Sequence, residues 1–509
     1  MKQSAFIAGI ALPMTFLGWL WLSTGSIWYA FQRIAEMIVR VRPNYESSGA
    51  WMLTFLIPVS MSLSVLLKLP QWRQQALQAS NFLFGLTIGM VTIFFLLNIN
   101  FFMEAVQYFP FVLGSLLLFP TGIWGWEAWK SKDKGNIVRM IIVTSLMLVL
   151  ITPSLVARIA PAPSPGLTET EFGKYEVERF QLDNDFNKTI RELAVPENTG
   201  NNWFTFVYVP HPIPVKIPIF IFLHGHGGTD PKYYDQTMRQ IASRGFFGIY
   251  VQYPTTFDKK IEALADQEYP ELKEKPKIIK ENPYRYRIVW EGIETVIGSI
   301  LQETSEIGMG SDNLDLTRVM IAGHSLGGGM VPFIATKVIE QGWANGSLAL
   351  DIEAGWVDTL KGNMTKLPNE TVANVVFYDR DNVVPGCLTA HLFERIRSRD
   401  GKGVLQNVSF ITVQTDFHGF PRELANHYTP TDLIQGVLYH QAFLSRLIGM
   451  AEFLLGKGGL SPILENTDLG TWTDGVRIKP LLRTTDPFGI RGEIGLSKVS
   501  VYFDHPVCN

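Results

Sequence analysis

Gly323-His324-Ser325-Leu326-Gly327 follows the apolar run Arg318–Gly323 and precedes a helical pattern beginning at Gly327. A serine on a sharp strand-to-helix turn presents its hydroxyl to solvent and to the N–H groups of the helix that follows, where developing negative charge is favoured. Such a turn brings the residues two before and two after the serine together, and glycine stands at both. The chemistry implied is nucleophilic attack by Ser325. That attack needs a base to take the hydroxyl proton and an acid to orient the base.

The transition state also needs donors for an oxyanion. One is expected from the N–H of Leu326. The other is expected from "FLHGHGG" (Phe222–Gly228), at the end of the apolar run Ile217–Leu223, with His226 N–H as the donor. Partners of a serine on this kind of elbow follow in the order acid, then histidine. "YDRDNVVPG" offers Asp379 and Asp381, and Asp381 is preferred because it stands further out, where a loop delivers it. "QTDFHGFP" after the last strand offers His418 as the base, with His427 as its rival. Of the nine histidines, His391 and His440 fall on helical patterns, His211 precedes the sheet core and His505 lies in the tail. The expected triad is Ser325, Asp381 and His418.

Positioning these groups requires a sheet. Seven runs read as strands: Trp203–Val209, Ile217–Leu223, Phe246–Tyr253, Arg318–Gly323, Leu348–Ala354, Asn374–Asp379 and Val408–Gln414. Most are continuous and apolar enough to be buried on both faces. Helical patterns fall between them at Tyr233–Ser243, Arg285–Ile307, Gly327–Gln341, Leu388–Arg397 and Leu433–Leu455. This alternation predicts an α/β three-layer domain with a mostly parallel sheet. Residues Asp258–Glu281, with seven acidic and six basic side chains, read as a solvated insertion rather than a lipid-binding lid.

The front third is of another kind. Residues 1–160 carry 11 Lys/Arg against 5 Asp/Glu, leaving 33 against 42 in the rest. Ala5–Tyr29, Ala50–Leu69, Asn81–Phe101, Val106–Trp126 and Ile137–Ile159 each approach the ~20 residues that cross a hydrocarbon core as a helix. An all-α transmembrane bundle of about five helices is expected. Loop charges put the N-terminus in the cytoplasm and the α/β domain on the extracytoplasmic side. Glu104 and Glu127 lie near span ends, so no intramembrane charge pair suggests a transport path. The expected organisation is a membrane domain (1–160), a Pro-rich linker (161–176), the α/β domain (177–456) and an extension (457–509) whose "TWTDGVRIKPLL" and "VSVYF" offer added strands.

The acidic remainder gives no reason to expect nucleic acid. Cys387 and Cys508 are the only cysteines; neither has metal-ligand spacing, and a bridge between them would require an oxidising compartment.

"HGHGG", "IASRGFFGIYVQYP", "GHSLGG" and "DRDNVVP" resemble the α/β-hydrolase superfamily. They are most similar to the branch holding chlorophyllases, platelet-activating-factor acetylhydrolases, dienelactone hydrolases and cutinase-like polyester hydrolases. The resemblance spans roughly residues 200–450. It implies an α/β-hydrolase sandwich with an eight-stranded sheet, and carboxylic-ester hydrolysis through an acyl-enzyme without metal or organic cofactor. It also supports Asp381 through the "D-x-x-V-P" spacing, and it makes Trp356 a pocket-lining candidate beside a plain packing role. His226 stands where relatives often carry an aromatic residue, and the charged insertion has no counterpart. The expected activity is a membrane-anchored serine esterase, lipase-like, on a lipophilic ester. A thioesterase, acyltransferase or peptidase would use the same triad, and a non-catalytic scaffold is the alternative from another class.

Overall fold

A computed structural model of the chain describes residues 2–24, 72–100, 117–131, 134–157, 160–195, 203–304, 307–381, 383–419, 422–433 and 435–488. The chain divides at Ala162 and Pro163 into two compact units.

The first unit holds α1 (Lys2–Thr24), α2 (Arg73–Asn100), α3 (Leu118–Ser131) and α4 (Lys134–Ala157). Within α1 and α2, Ser4–Leu22 and Gln74–Ile93 are long and apolar enough to cross a bilayer. α4 carries a shorter apolar stretch, Ile137–Leu146. The expectation of about five membrane helices is therefore corrected to two among the described residues. The expected span Ala50–Leu69 and most of Val106–Trp126 lie outside them. Glycines let α1 and α2 approach to backbone contact: a Cβ on Gly9 would sit 2.2 Å from Phe82 O, and one on Gly85 2.2 Å from Phe6 O. Gly85 and Gly89 are spaced as in the small-residue interfaces that let membrane helices pack closely. Pairing of Phe6 with Gly85, and of Ile10 and Pro13 with Gly89, makes the two helices parallel.

The second unit is built on a nine-stranded mixed sheet. Its elements in chain order are β1 (Glu176–Asp183), α5 (Lys188–Leu193), β2 (Phe204–His211), β3 (Ile217–Leu223), α6 (Asp235–Ala242), β4 (Phe247–Val251), α7 (Lys260–Glu268), α8 (Lys277–Leu301), β5 (Leu314–His324), α9 (Leu326–Glu340), β6 (Ser347–Glu353), β7 (Val372–Tyr378), α10 (Gly386–Ser398), β8 (Val408–Val413), a π-helical turn (Leu438–Leu444) leading into α11 (Ser445–Leu454), and β9 (Leu482–Thr484). The spatial order is β1-β2-β4-β3-β5-β6-β7-β8-β9. Strands β4, β3, β5, β6, β7 and β8 are parallel; β1 and β2 at one edge and β9 at the other are antiparallel to their neighbours.

All seven expected strands are present. Every residue of β3, β4 and β7 is buried, as continuous apolar runs require when helices cover both faces. Phe220, Phe222, Met320 and Ala349 pack with Tyr234, Met238 and Ile241 of the α6 region and with Leu447 and Met450 of α11. Their neighbours Ile219, Ile221, Val319 and Ile321 point to the opposite face and are equally buried.

The domain is wider than 177–456. Pro163 bridges to Trp472, Ser164 N–H donates to Thr471 O at 3.0 Å, and Leu167 packs on the core formed by Leu469, Trp472, Ile478 and Leu481. Both the Pro-rich segment and the front of the extension are thus parts of the α/β unit, because Trp472 and Leu481 are buried there. The stretch "VSVYF" lies outside the described residues. The charged insertion folds as α7 and the start of α8, held by the buried pair Arg285–Glu281 and by Lys280–Asp266 at 2.6 Å.

Candidate active site

Ser325 stands between the end of β5 and the first turn of α9 with φ 56° and ψ −117°, a region that side-chain-bearing residues rarely occupy. The turn is that tight because a Cβ on Gly323 would lie 2.6 Å from Gly327 O, and one on Gly327 would lie 2.1 Å from Leu223 O. Main-chain bonds lock it on both sides: Ser325 N–H donates to Glu353 O at 2.8 Å, and Ser325 O accepts from Gly329 N–H at 3.1 Å and Trp356 N–H at 2.9 Å. Beneath the turn, Glu353 and Asp351 of β6 share the buried Arg446 guanidinium, and Tyr378 Oη donates to Glu353 at 2.5 Å.

Two of the expected triad residues converge on this point and one does not. Asp381 follows β7 and is buried. Its Oδ1 accepts from Val383 N–H at 2.8 Å and Val384 N–H at 2.9 Å, which leaves Oδ2 for a histidine. That histidine is His427. Its Nδ1 lies 2.7 Å from Asp381 Oδ2, and its Nε2 lies 2.9 Å from Ser325 Oγ. Asp379 is used structurally instead, accepting from Thr415 N–H at 2.9 Å and Thr415 Oγ1 at 2.6 Å.

The expectation for His418 is corrected. Asp416 and Glu423 pair reciprocally through their backbones, at 2.7 and 3.0 Å. His418, two residues after Asp416, is 38% exposed, with Nε2 2.7 Å from Asp474 Oδ2. The chain reaches the site only after this, beside the loop that carries Asp381: Arg380 N–H, two residues beyond β7, donates to Ala425 O at 2.9 Å. His427 then sits in a tight turn made by Asn426 and Thr429: Tyr428 N–H donates to Asn426 Oδ1 at 2.8 Å, and Asn426 N–H donates to Thr429 Oγ1 at 3.0 Å. The asparagine and threonine flanking His427 in "ANHYTP" mark a turn in the sequence, but "DFHGFP" around His418 carries turn residues as well, so this signal does not separate the two.

Of the two expected oxyanion donors, Leu326 opens α9 directly after Ser325. His226 lies one residue beyond Gly225, whose Cα so closely approaches the elbow that a Cβ there would stand 3.2 Å from Ser325 Cβ. Burial pushes the His226 imidazole, and that of His224, down to about 3, so both rings are neutral at physiological pH. Trp356 is buried beside the elbow, with its main chain on Ser325 O. Cys387, at the start of α10, is disulfide-bonded, while Cys508 lies outside the described residues.

A hydroxyl bonded to an imidazole that is itself bonded to a buried carboxylate is the arrangement that makes serine a nucleophile. No known family model matches the chain. No curated protein matches it significantly.

Proposed function

We propose that the chain is a membrane-anchored serine hydrolase that cleaves a lipophilic carboxylic ester through an acyl-enzyme. The observation that carries this reading is the continuous relay Ser325–His427–Asp381, with 2.9 and 2.7 Å links, on an elbow with positive φ.

In the proposed reaction His427 Nε2 takes the Ser325 proton as Oγ attacks the ester carbonyl carbon. The carbonyl oxygen becomes an oxyanion facing the N–H groups of Leu326 and His226, each worth about 2.7–4 kcal/mol in the transition state. His427 then gives its proton to the departing alkoxide, leaving Ser325 acylated. Water attacks the acyl group by the same route in reverse and frees the acid. Asp381 holds His427 in the tautomer with its proton on Nδ1 and stabilises the imidazolium as it forms.

The tether gives the reading its substrate class. A catalytic unit joined to bilayer-crossing helices meets membrane-dissolved esters at raised effective concentration. The disulfide at Cys387 favours the extracytoplasmic side for this unit.

The test is fluorophosphonate labelling of the detergent-solubilised full chain. Wild type should label, and Ser325→Ala and His427→Ala should not. A folded wild type that takes no label, or a Ser325→Ala variant that does, would overturn the reading.

A further inference from the structure

An oxyanion hole works only if its donors are already in place when charge develops, so the loop His224–Gly228 needs supports of its own. Four side-chain hydroxyls supply them. Tyr250 Oη donates to Gly228 O and Tyr253 Oη donates to His224 O. Gly227 N–H donates to Thr255 Oγ1, and Gly225 N–H donates to Tyr234 Oη, each at 3.3 Å. The first three come from one stretch, the end of β4 and the residues after it. Tyr234 comes from the other side, from the turn that opens α6.

Tyr234 differs from the other three in a second way. Its Oη lies 2.8 Å from Nδ1 of His324, the residue preceding the nucleophile. The phenol oxygen accepts from Gly225 N–H, and the one proton it carries is free to go to His324 Nδ1. With that proton on Nδ1's lone pair, His324 is the Nε2–H tautomer, the form the proposal below assigns to it. Its ring centroid stands 4.7 Å from that of His427. Three groups crowd the Gly225 α-carbon, where a Cβ would meet His324 Nδ1 at 3.1 Å, Ser325 Cβ at 3.2 Å and Tyr234 Oη at 3.4 Å.

We propose that Tyr234 is a positioning residue for the reaction: its hydroxyl links the oxyanion loop at Gly225 to the nucleophile elbow at His324, and through the His324 ring sets the face against which His427 moves. The proposal rests on the hydrolase reading above. The hydroxyl matters rather than the ring, which packs in any case against Phe222 at 4.7 Å. Burial keeps the Tyr234 phenol protonated, by raising its pKa, and keeps His324 neutral. The link therefore holds one tautomer throughout the cycle.

The experiment compares the full-length wild type with Tyr234→Phe in detergent, by fluorophosphonate labelling rate, by kcat and KM on a p-nitrophenyl ester, and by the imidazole ¹⁵N spectrum of the nine histidines. Tyr234→Phe should lower kcat and the labelling rate roughly 10–100-fold, less than the roughly 10²–10³-fold loss of an oxyanion donor itself because Tyr234 acts one step back, with KM within about two-fold. The His324 nitrogens should shift away from the Nε2–H tautomer. Tyr439→Phe, which removes another buried hydroxyl, 2.7 Å from Asp432, should leave kcat within about two-fold and serves as the control for burial alone. If the two positions act as one link, adding Tyr234→Phe to His324→Leu should cost nothing further. An active wild type beside an equally active Tyr234→Phe would overturn the proposal alone. A wild type that neither labels nor turns over ester would overturn the hydrolase reading, and the proposal with it. Unchanged His324 resonances in Tyr234→Phe would remove the link itself.

Discussion

His418→Ala and His427→Ala should differ by orders of magnitude, although both histidines follow the last parallel strand. Removing the base of a serine triad costs about 10⁴–10⁶ in kcat, whereas the His418 ring bonds Asp474 at the surface, away from Ser325, and its loss should leave kcat within about two-fold. Ester turnover on the two purified variants checks this. Asp381→Asn should cost about 10⁴. Its amide oxygen can still accept from Val383 and Val384, but its NH₂ then faces His427 Nδ1 and forces the wrong tautomer. A residual rate within ten-fold of wild type would contradict the assignment. His224 makes a prediction about pH. Its pKa falls from 6.5 to about 3 on burial, so below pH 6.5 the unfolded chain binds a proton that the folded chain refuses. Its neutral ring thus contributes stability that is fully present above pH 6.5 and is lost as pH falls toward 3. The gap in melting temperature between wild type and His224→Gln should narrow over that window and stay constant above pH 7.

Glycines test the elements. Gly323→Ala puts a Cβ 2.6 Å from Gly327 O, so β5 and α9 must separate. The variant should lose labelling and melt several degrees lower, an outcome a thermal scan beside the labelling gel would read. Gly298, in α8, has nothing within 4 Å of its would-be Cβ, and its φ is not in the positive region. Gly298→Ala should stabilise by about 0.4–1 kcal/mol by restricting the unfolded chain, measurable as a shifted denaturation midpoint. The seven strands of the sheet core were legible because each is a continuous apolar run. The edge strand β1, "EVERFQLD", was not, because it is largely polar and alternates between exposed and half-buried residues against a single neighbour. β9 is three residues long and is a strand only because β8 lies beside it.

At the scale of the whole chain, the fused architecture is the argument for a membrane-borne substrate. Cleaving the chain at a protease site introduced between the units should lower turnover of a long-chain ester dispersed in liposomes while leaving a water-soluble ester unaffected. Equal turnover of both substrates before and after cleavage would remove the reason for the tether. Sidedness is open to the same kind of test: an impermeant protease added to intact cells should digest the α/β unit, and full protection would place it in the cytoplasm instead.

The sequence by itself determined the elbow serine, the aspartate of the loop after β7 and the α/β sheet that carries them. Those signals are local: two glycines about a serine, a carboxylate on the loop after a strand, and apolar runs of strand length. It also marked the front third as apolar enough for a bilayer, though only α1 and α2 meet that test among the described residues. Which histidine serves as base was decided by tertiary structure alone. Pairing of Asp416 with Glu423 leaves His418 at the surface on Asp474, and the bond from Arg380 N–H to Ala425 O beside Asp381 brings in His427, nine residues later. Choosing between them requires knowing which loop the chain meets on its way back, a long-range hydrogen-bonding outcome that no spacing along the chain encodes.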